Sequence, residues 1–229
     1  MKSNFRRQAL YNQLKKVFLA EFVEAIVAAV VVAMLLRFFV VSVYRVPTES
    51  MQPTLLPGDL IVAWKTSYGV PIPFSDQRLG ARLPERGDVV VVERPDEDAL
   101  FVKRVVGVPG DRIEIRAGEL LINDASTTTL VETVGGIDYF DEFMGKSTHR
   151  VMRRHQPTEA DFLAPLVVPP DHVFLLGDFR SESADSRQWG PVPAGLVMAR
   201  ASFVGASIQP PGSDASGRIR LDRVMKSIE

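Results

Sequence analysis

The first forty-three residues divide into a polar stretch and an apolar one. Residues 1–20 are polar and basic, whereas residues 22–43 are dominated by apolar side chains, with an uninterrupted apolar run from Ala25 to Leu36. At about 1.5 Å per residue this run covers only about 18 Å of helix, short of the roughly 30 Å hydrocarbon layer of a membrane. Continuing the helix to Val43 supplies the missing length, with Arg37 snorkelling to the headgroups.

Three interpretations of the apolar segment compete. A cleavable signal peptide fits the short run, but Arg37-Phe38-Phe39 follows it where a small-x-small cleavage site belongs. A buried helix of a soluble domain is disfavoured because residues 25–36 are apolar on all sides. We therefore expect a retained transmembrane anchor over residues 21–43, preceded by a basic segment at residues 1–20. Five basic residues precede the anchor and only Arg45 follows it closely, which places the N-terminus in the cytoplasm and the body outside.

Beyond the anchor the pattern changes to short β-branched runs separated by turn formers such as Pro57-Gly58-Asp59 and Pro109-Gly110-Asp111. No long amphipathic helix alternates with these runs, so the pattern predicts a mainly β fold with an antiparallel sheet. Residues 117–170 are more polar and less regular, which indicates a small inserted subdomain between the two parts of the main β domain, residues 44–116 and 171–229. The predicted strands are Leu60–Trp64, Val89–Arg94, Phe101–Val108, Arg112–Arg116, Val173–Leu176 and Val197–Val204.

Composition and charge exclude several classes of function. The net charge is −1 with no regular basic face, which argues against nucleic acid as a partner because phosphate binding needs a basic footprint. The chain has no cysteine, so disulfides, thiol catalysis and thiolate metal sites are excluded. His149, His155 and His172 lack the neighbours of a zinc site, and we expect each of them at the surface. We therefore predict no metal site and no cofactor.

Three polar segments could carry chemistry. In the segment Pro47–Thr54 a proline stands on either side of Ser50, which predicts a fixed, extended turn that presents this serine, although a rigid linker would look the same. Lys103 lies in a strand that is apolar on both faces, so one of the two adjacent cations Lys103 and Arg104 must be poorly solvated. Burial lowers the pKa of a lysine, as a lysine general base requires, although a lysine at a sheet edge is the alternative. The third segment, residues 177–190, is a loop dense in Ser, Asp and Arg.

These segments, in this order behind an apolar span, resemble the bacterial type I signal peptidase (leader peptidase) family of Ser-Lys serine proteases. The resemblance covers roughly residues 20–205. Its motifs are Ser50-Met51-x-Pro53-Thr54 for the nucleophile, Gly87-Asp88-Val89-Val90-Val91 for the first core strand, Lys103-Arg104-x-x-Gly107-x-Pro109-Gly110-Asp111 for the lysine, and Gly177-Asp178-x-Arg180-x-x-Ser183-x-Asp185-Ser186-Arg187 for the C-terminal box.

The resemblance implies a role for each matching residue. Ser50 would be the nucleophile and Lys103 the general base, and the Thr48 hydroxyl with the Ser50 backbone N–H would form the oxyanion hole. Ser183 would orient the lysine amine. Asp185 and Arg187 would form a structural pair in the same loop, with Asp178 as a further supporting residue.

The resemblance also implies an activity and a location. The protein would remove signal peptides from exported preproteins after an Ala-x-Ala-like site, at the outer (periplasmic) side of the bacterial cytoplasmic membrane, with signal peptides and the lipid bilayer as partners.

Phe179 departs from the asparagine usual in the family, and Thr48 from the serine common in Gram-negative members. We further expect Met51, Leu55 and Leu56 to contact lipid. A Ser-Lys peptidase dedicated to one substrate and a silent signal-peptide-binding protein are the alternatives.

Overall fold

The computed structural model describes residues 2–72, 75, 77–94, 99–145, 147–156, 158, 161–211 and 217–228, with side chains for all of these except residues 2–17, 20 and 71. The chain divides into two compact units, residues 1–40 and residues 41–229. The first unit is a helix and the second is built from strands, as the change of pattern near residue 43 predicts.

Helix α1 spans Lys2–Phe39 and contains one stretch, Glu21–Phe39, that is long and apolar enough to cross a membrane. Its mean hydropathy is 2.4, and its 19 residues cover about 28 Å at 1.5 Å per residue. The predicted extension of the helix to Val43 is wrong, because Val41–Arg45 is a strand in which Val43 pairs with Val62. The stretch Glu21–Phe39 by itself comes close to the thickness of the hydrocarbon layer. The β-branched residues at 41 and 43 favour the strand.

Sixteen strands are described in the second unit, and each of the six predicted strands is present with ends shifted by up to three residues. Their bounds are β1 Val41–Arg45, β2 Asp59–Trp64, β3 Val70–Pro71, β4 Arg78–Leu79, β5 Val89–Glu93, β6 Leu100–Gly107, β7 Arg112–Arg116, β8 Glu119–Ile122, β9 Ala125–Ser126, β10 Thr128–Val134, β11 Ile137–Phe143, β12 Thr148–Arg154, β13 Leu163–Val167, β14 His172–Leu176, β15 Val192–Pro193 and β16 Val197–Ser207. A four-residue helix, α2, spans Ser186–Trp189.

The main sheet has seven strands in the order β1-β2-β16-β5-β6-β14-β15, and neighbouring strands are antiparallel. The prediction of a mainly β, antiparallel fold is confirmed. Strand β6 lies inside this sheet between β5 and β14, with Lys103 opposite Val90 and Arg104 opposite Val89. A central position explains why both faces of this strand are apolar in sequence.

Residues 117–170 contribute β8 to β13. Strands β10, β11 and β12 form a separate three-stranded sheet, whereas β8, β9 and β13 join β7 in a four-stranded sheet. The four-stranded sheet therefore crosses the predicted boundary at residue 116, and the inserted subdomain stays a prediction. One parallel bridge, Met152 with Phe179, connects β12 to the loop after β14.

The hydrophobic core occupies both faces of the main sheet. Val89 and Val91 pack in one cluster, while Val90 and Val92 pack in another, so all four are at most 2% exposed. Met51 and Leu55 belong to the first cluster, with exposed fractions of 1% and 0%. The expected contact of these two side chains with lipid is therefore wrong. They fix the turn that contains Ser50 to the core instead.

Candidate active site

Ser50, Thr48 and Lys103 line one cavity of about 590 Å³. The cavity therefore brings together the end of the turn after β1 and the middle of β6. The other walls are mostly apolar, and they include Val46, Met51, Val91, Phe101, Val102 and Ala184. A mostly apolar cavity with a few polar groups is typical of a ligand-binding site.

The segment that carries Ser50 is a compact turn, and the extended conformation predicted for it is wrong. The N–H of Gln52 donates to the carbonyl of Glu49 at 2.8 Å, and the N–H of Leu55 donates to the carbonyl of Met51 at 2.8 Å. The buried Met51 side chain anchors the turn, which leaves Ser50 half-buried at the cavity. The hydroxyls of Thr48 and Ser50 lie 3.2 Å apart, within hydrogen-bond distance.

Lys103 is 2% exposed, and its Nζ donates to Ser183 Oγ at 2.8 Å. Burial lowers the pKa of Lys103 to about 8, because the charged ammonium loses its water. The Asp185 carboxylate opposes this shift and the Arg187 guanidinium adds to it. A substantial fraction of Lys103 is therefore neutral near pH 8. A neutral amine can accept a proton, whereas an ordinary surface lysine is already protonated at that pH.

Arg104 is fully buried as well, so both adjacent cations are removed from water rather than one of them. Its Nε and Nη2 each donate to the Asp178 carboxylate at 2.9 Å, and its Nη1 donates to the carbonyl of Gly87 at 2.8 Å. Although burial alone would raise the pKa of Asp178, the Arg104 guanidinium holds that pKa below its usual value. Thr54 donates to Asp178 at 2.5 Å, so this ion pair also supports the turn that contains Ser50.

The loop after β14 is held by Asp185 and Arg187. The Arg187 Nε and Nη2 donate to the Asp185 carboxylate at 2.8 Å each, and Nη2 also donates to the carbonyls of Arg180 and Ser183. Asp185 is fully buried. Burial alone would raise its pKa, but the hydrogen bonds from Arg187 hold that pKa below its usual value. The pair thus fixes the backbone on both sides of the hydroxyl that contacts Lys103.

Gly177 lies where this loop approaches the serine turn. A Cβ atom at this position would lie 2.5 Å from the carbonyl oxygen of Ser50 and 2.3 Å from Ser183 Oγ. Such distances are far inside van der Waals contact, so only glycine lets the two segments come this close. The N–H of Phe179 donates to the same Ser50 carbonyl at 3.0 Å.

Phe179, which stands where the family usually has asparagine, is buried beside the candidate site. It is 4% exposed, with the Arg154 guanidinium 6.0 Å from its ring centre.

The prediction that His149 lies at the surface is wrong. This side chain is 7% exposed, and its Nε2 lies 3.1 Å from Glu142 Oε2. Strand alternation cannot reveal that burial, because the covering residues are distant in sequence.

In the part of the chain that the structure describes, no three His, Asp or Glu side chains are grouped so as to hold a metal ion.

The family of this chain is decided by a match to the family model described as signal peptidase, peptidase S26, over residues 19–206. The chain belongs to this signal peptidase family. It is 33% identical to signal peptidase I of Pseudomonas fluorescens over 183 residues, covering 76% of this chain and 64% of that protein. It is 34% identical to signal peptidase I of Rickettsia akari over 200 residues, covering 76% and 74%.

Two further similar proteins extend the comparison. Thylakoidal processing peptidase 1 of Arabidopsis thaliana is 30% identical over 195 residues, covering 80% of this chain and 47% of that protein. A signal peptidase I of Enterococcus faecalis with a crystal structure is 26% identical, covering 52% of this chain and 97% of the other. Its TM-score of 0.34 is too low for a comparison of folds.

Proposed function

We propose that this protein is a membrane-anchored serine endopeptidase that removes N-terminal signal peptides from exported preproteins. Ser50 is the nucleophile and Lys103 is the general base. The observation that carries the proposal is that Lys103 is buried, is held by a hydroxyl and has a pKa lowered to about 8, at the same cavity as Ser50. Membership of the signal peptidase family over residues 19–206 supports the same activity.

The first half of the reaction forms an acyl-enzyme. Neutral Lys103 Nζ accepts the proton of Ser50 Oγ as this oxygen forms a bond to the scissile carbonyl carbon. The tetrahedral intermediate then collapses, the C–N bond breaks, and the Lys103 ammonium returns its proton to the leaving amine. The mature N-terminus departs, while the signal peptide remains as an ester of Ser50.

The second half restores the enzyme. Lys103 Nζ accepts a proton from a water molecule whose oxygen attacks the ester carbonyl, and the proton then passes to Ser50 Oγ as the C–O bond breaks. The hydrogen bond from Nζ to Ser183 Oγ keeps the amine in one position in both halves. No step requires a metal or an organic cofactor.

The oxyanion of both tetrahedral intermediates is stabilised by the Thr48 hydroxyl and the Ser50 backbone N–H. The 3.2 Å separation of the Thr48 and Ser50 hydroxyl oxygens supports this role for Thr48, because it places a donor beside the attacking atom. One such donor typically lowers the barrier by about 3–4 kcal/mol.

The walls of the cavity favour small apolar side chains near the scissile bond, as an Ala-x-Ala-like site presents. Val91 and Val102 supply part of the apolar wall that such side chains would contact, while Arg45 and Glu182 also line the cavity. The apolar helix over Glu21–Phe39 supports a membrane anchor. The basic residues before it support a cytoplasmic N-terminus, with the body on the outer, periplasmic side of a bacterial cytoplasmic membrane. Anchoring raises the effective concentration of enzyme and substrate on one face.

The test uses the full chain in detergent and a preprotein with an Ala-x-Ala site. Wild type, Ser50→Ala and Lys103→Ala are assayed side by side, and the N-terminus of the product is sequenced. Cleavage after the second alanine by wild type alone is the expected result. Full activity of Lys103→Ala would reject the assigned base. Failure of wild type on several unrelated preproteins would favour a peptidase with one dedicated substrate or a protein that only binds signal peptides.

A further inference from the structure

Residues 177–179 form a short strip that contacts both the serine turn and the partner of the lysine. The Phe179 N–H donates to the Ser50 carbonyl at 3.0 Å. A Cβ at Gly177 would lie 2.5 Å from that carbonyl oxygen and 2.3 Å from Ser183 Oγ. A shift of this strip by a few tenths of an ångström would therefore change the positions of both hydroxyls.

The strip is held partly from residues 117–170. The Met152 N–H, in β12, donates to the Asp178 carbonyl at 2.9 Å. The Gly177 carbonyl accepts from Arg180 Nε at 3.1 Å, and the Arg180 Nη2 donates to Glu142 Oε2 at 2.5 Å. Glu142 belongs to β11, so two strands of this segment reach the loop that contains Ser183.

The pair of Glu142 and Arg180 is closed to water. Glu142 is fully buried and Arg180 is 5% exposed, and His149 approaches the same carboxylate with Nε2 at 3.1 Å. Burial alone would raise the pKa of Glu142, but the Arg180 and His149 side chains hold it below its usual value. Removing the carboxylate would leave the Arg180 guanidinium buried without its counter-ion, which proteins tolerate poorly.

We propose that Glu142 is a positioning residue for the cleavage reaction and that it acts through Arg180. By this route the segment 117–170 sets the spacing between Ser50 and Ser183. The proposal rests on the function assigned above. It gives the segment a role that its sequence does not suggest.

The chain contains a matched control in the same two strands. Asp141 and Arg150 are the next cross-strand pair after Glu142 and His149, with Arg150 Nε donating to Asp141 Oδ1 at 3.1 Å. Both side chains are more than two-fifths exposed. Asp141→Asn therefore removes one carboxylate charge from β11 without affecting residues 177–179.

The experiment compares wild type, Glu142→Gln, Asp141→Asn and Arg180→Lys, each as the full chain in detergent. We expect Glu142→Gln to lower kcat by about tenfold with KM within about twofold, since one buried charged hydrogen bond is lost from a group that does not touch substrate. Asp141→Asn should match wild type. Equal losses in both variants, or a wild-type kcat in folded Glu142→Gln, would overturn the proposal.

A second readout does not depend on activity. Lysines labelled with ¹³C at Cε are titrated by NMR, with the Lys103 signal assigned by its absence from Lys103→Met. The wild-type midpoint is expected at about 8. In Glu142→Gln we expect it to rise by about half a unit or more, because a displaced strip admits water to the amine. A midpoint unchanged from wild type would contradict the proposal, as would the same rise in Asp141→Asn.

Arg180→Lys covers the case in which Glu142→Gln does not fold. A lysine keeps the charge opposite Glu142 but has no Nε–H in the position that contacts the Gly177 carbonyl. It is expected to stay folded, to lose kcat by a similar factor and to raise the Lys103 midpoint. A wild-type rate and midpoint in this variant would reject the proposal. The assigned function fails if wild type cleaves nothing or if Ser50→Ala cleaves equally well. In that case the NMR midpoints of Lys103 still decide whether Glu142 positions the site.

Discussion

Lys103 and Arg104 are successive residues of β6, and their exposed fractions are 2% and 0%. On one side of the strand, Lys103 Nζ donates to a neutral hydroxyl, Ser183 Oγ. On the other side, Arg104 donates two hydrogen bonds to the ionised Asp178 carboxylate. The two side chains are therefore equally buried but have different hydrogen-bond partners. Lys103 has no directly bonded carboxylate, so burial favours its neutral amine, whereas the Asp178 carboxylate stabilises the charge of Arg104.

The difference assigns separate roles to the two sides. The Lys103 side faces the cavity that contains Ser50, and it carries the proposed chemistry. The Arg104 side connects β6 to Thr54 in the serine turn and to Asp178 in the loop after β14. The proposed proton acceptor and the cation of a buried ion pair thus lie next to each other in β6.

The largest effect should follow from making the lysine side permanently charged. Lys103→Arg keeps a cation but removes the group that can deprotonate, so we expect kcat for preprotein cleavage to fall by about 10³-fold or more. Arg104→Lys is the matched exchange, and it should retain more activity because the charge opposite Asp178 is kept. The comparison would break if Lys103→Arg were as active as Arg104→Lys.

The next effect is on stability rather than chemistry. Arg104→Met leaves the Asp178 carboxylate buried without its counter-ion, and we expect the free energy of unfolding to fall by about 3–5 kcal/mol. Urea unfolding of residues 41–229 within the full chain, followed by tryptophan fluorescence, measures it.

Arg150→Met is the control for that measurement, since Arg150 and its partner Asp141 are largely exposed. Its effect should stay below about 1 kcal/mol. The double variant Arg104→Met/Asp178→Leu should be more stable than Arg104→Met alone. Equal stability of Arg104→Met and wild type would show that the buried pair contributes nothing.

A smaller effect concerns the oxyanion. Thr48→Val removes the hydroxyl that lies 3.2 Å from Ser50 Oγ while keeping the shape of the side chain. We expect kcat to fall by about 10²–10³-fold with little change in KM, as for loss of one oxyanion donor. Thr48→Ser keeps the hydroxyl and should restore most of the rate. If Thr48→Val and Thr48→Ser were equally active, Thr48 would have no part in stabilising the oxyanion.

Much of the fold follows from local sequence pattern. The β-branched runs and the turn formers between them predict the central strands, because alternation and turn chemistry act over a few residues. The same pattern predicts that Lys103 or Arg104 is poorly solvated, since both faces of their strand are apolar. The proposed roles of Ser50 and Lys103 rest on the ordered motifs of the family, because the serine turn alone resembles a linker.

The rest depends on contacts between distant residues. Nothing near Arg104 in sequence indicates that its counter-ion is Asp178, 74 positions later. The burial of His149 against Glu142 follows from the pairing of β11 with β12 and from the loop that covers them. The position of Met51 shortly after the anchor predicts contact with lipid, but the turn folds this side chain into the core. Local pattern predicts elements, and it cannot specify which buried charges meet.

The central claim is that a neutral, buried Lys103 is the base, and the pH dependence of kcat/KM for preprotein cleavage tests it most directly. Because the base acts when deprotonated and its pKa is lowered to about 8, kcat/KM should rise through that pH and level off above it. At pH 6, two units below, it should be about a hundredfold lower than the plateau. A rate unchanged between pH 6 and pH 8 in the folded enzyme would contradict the account.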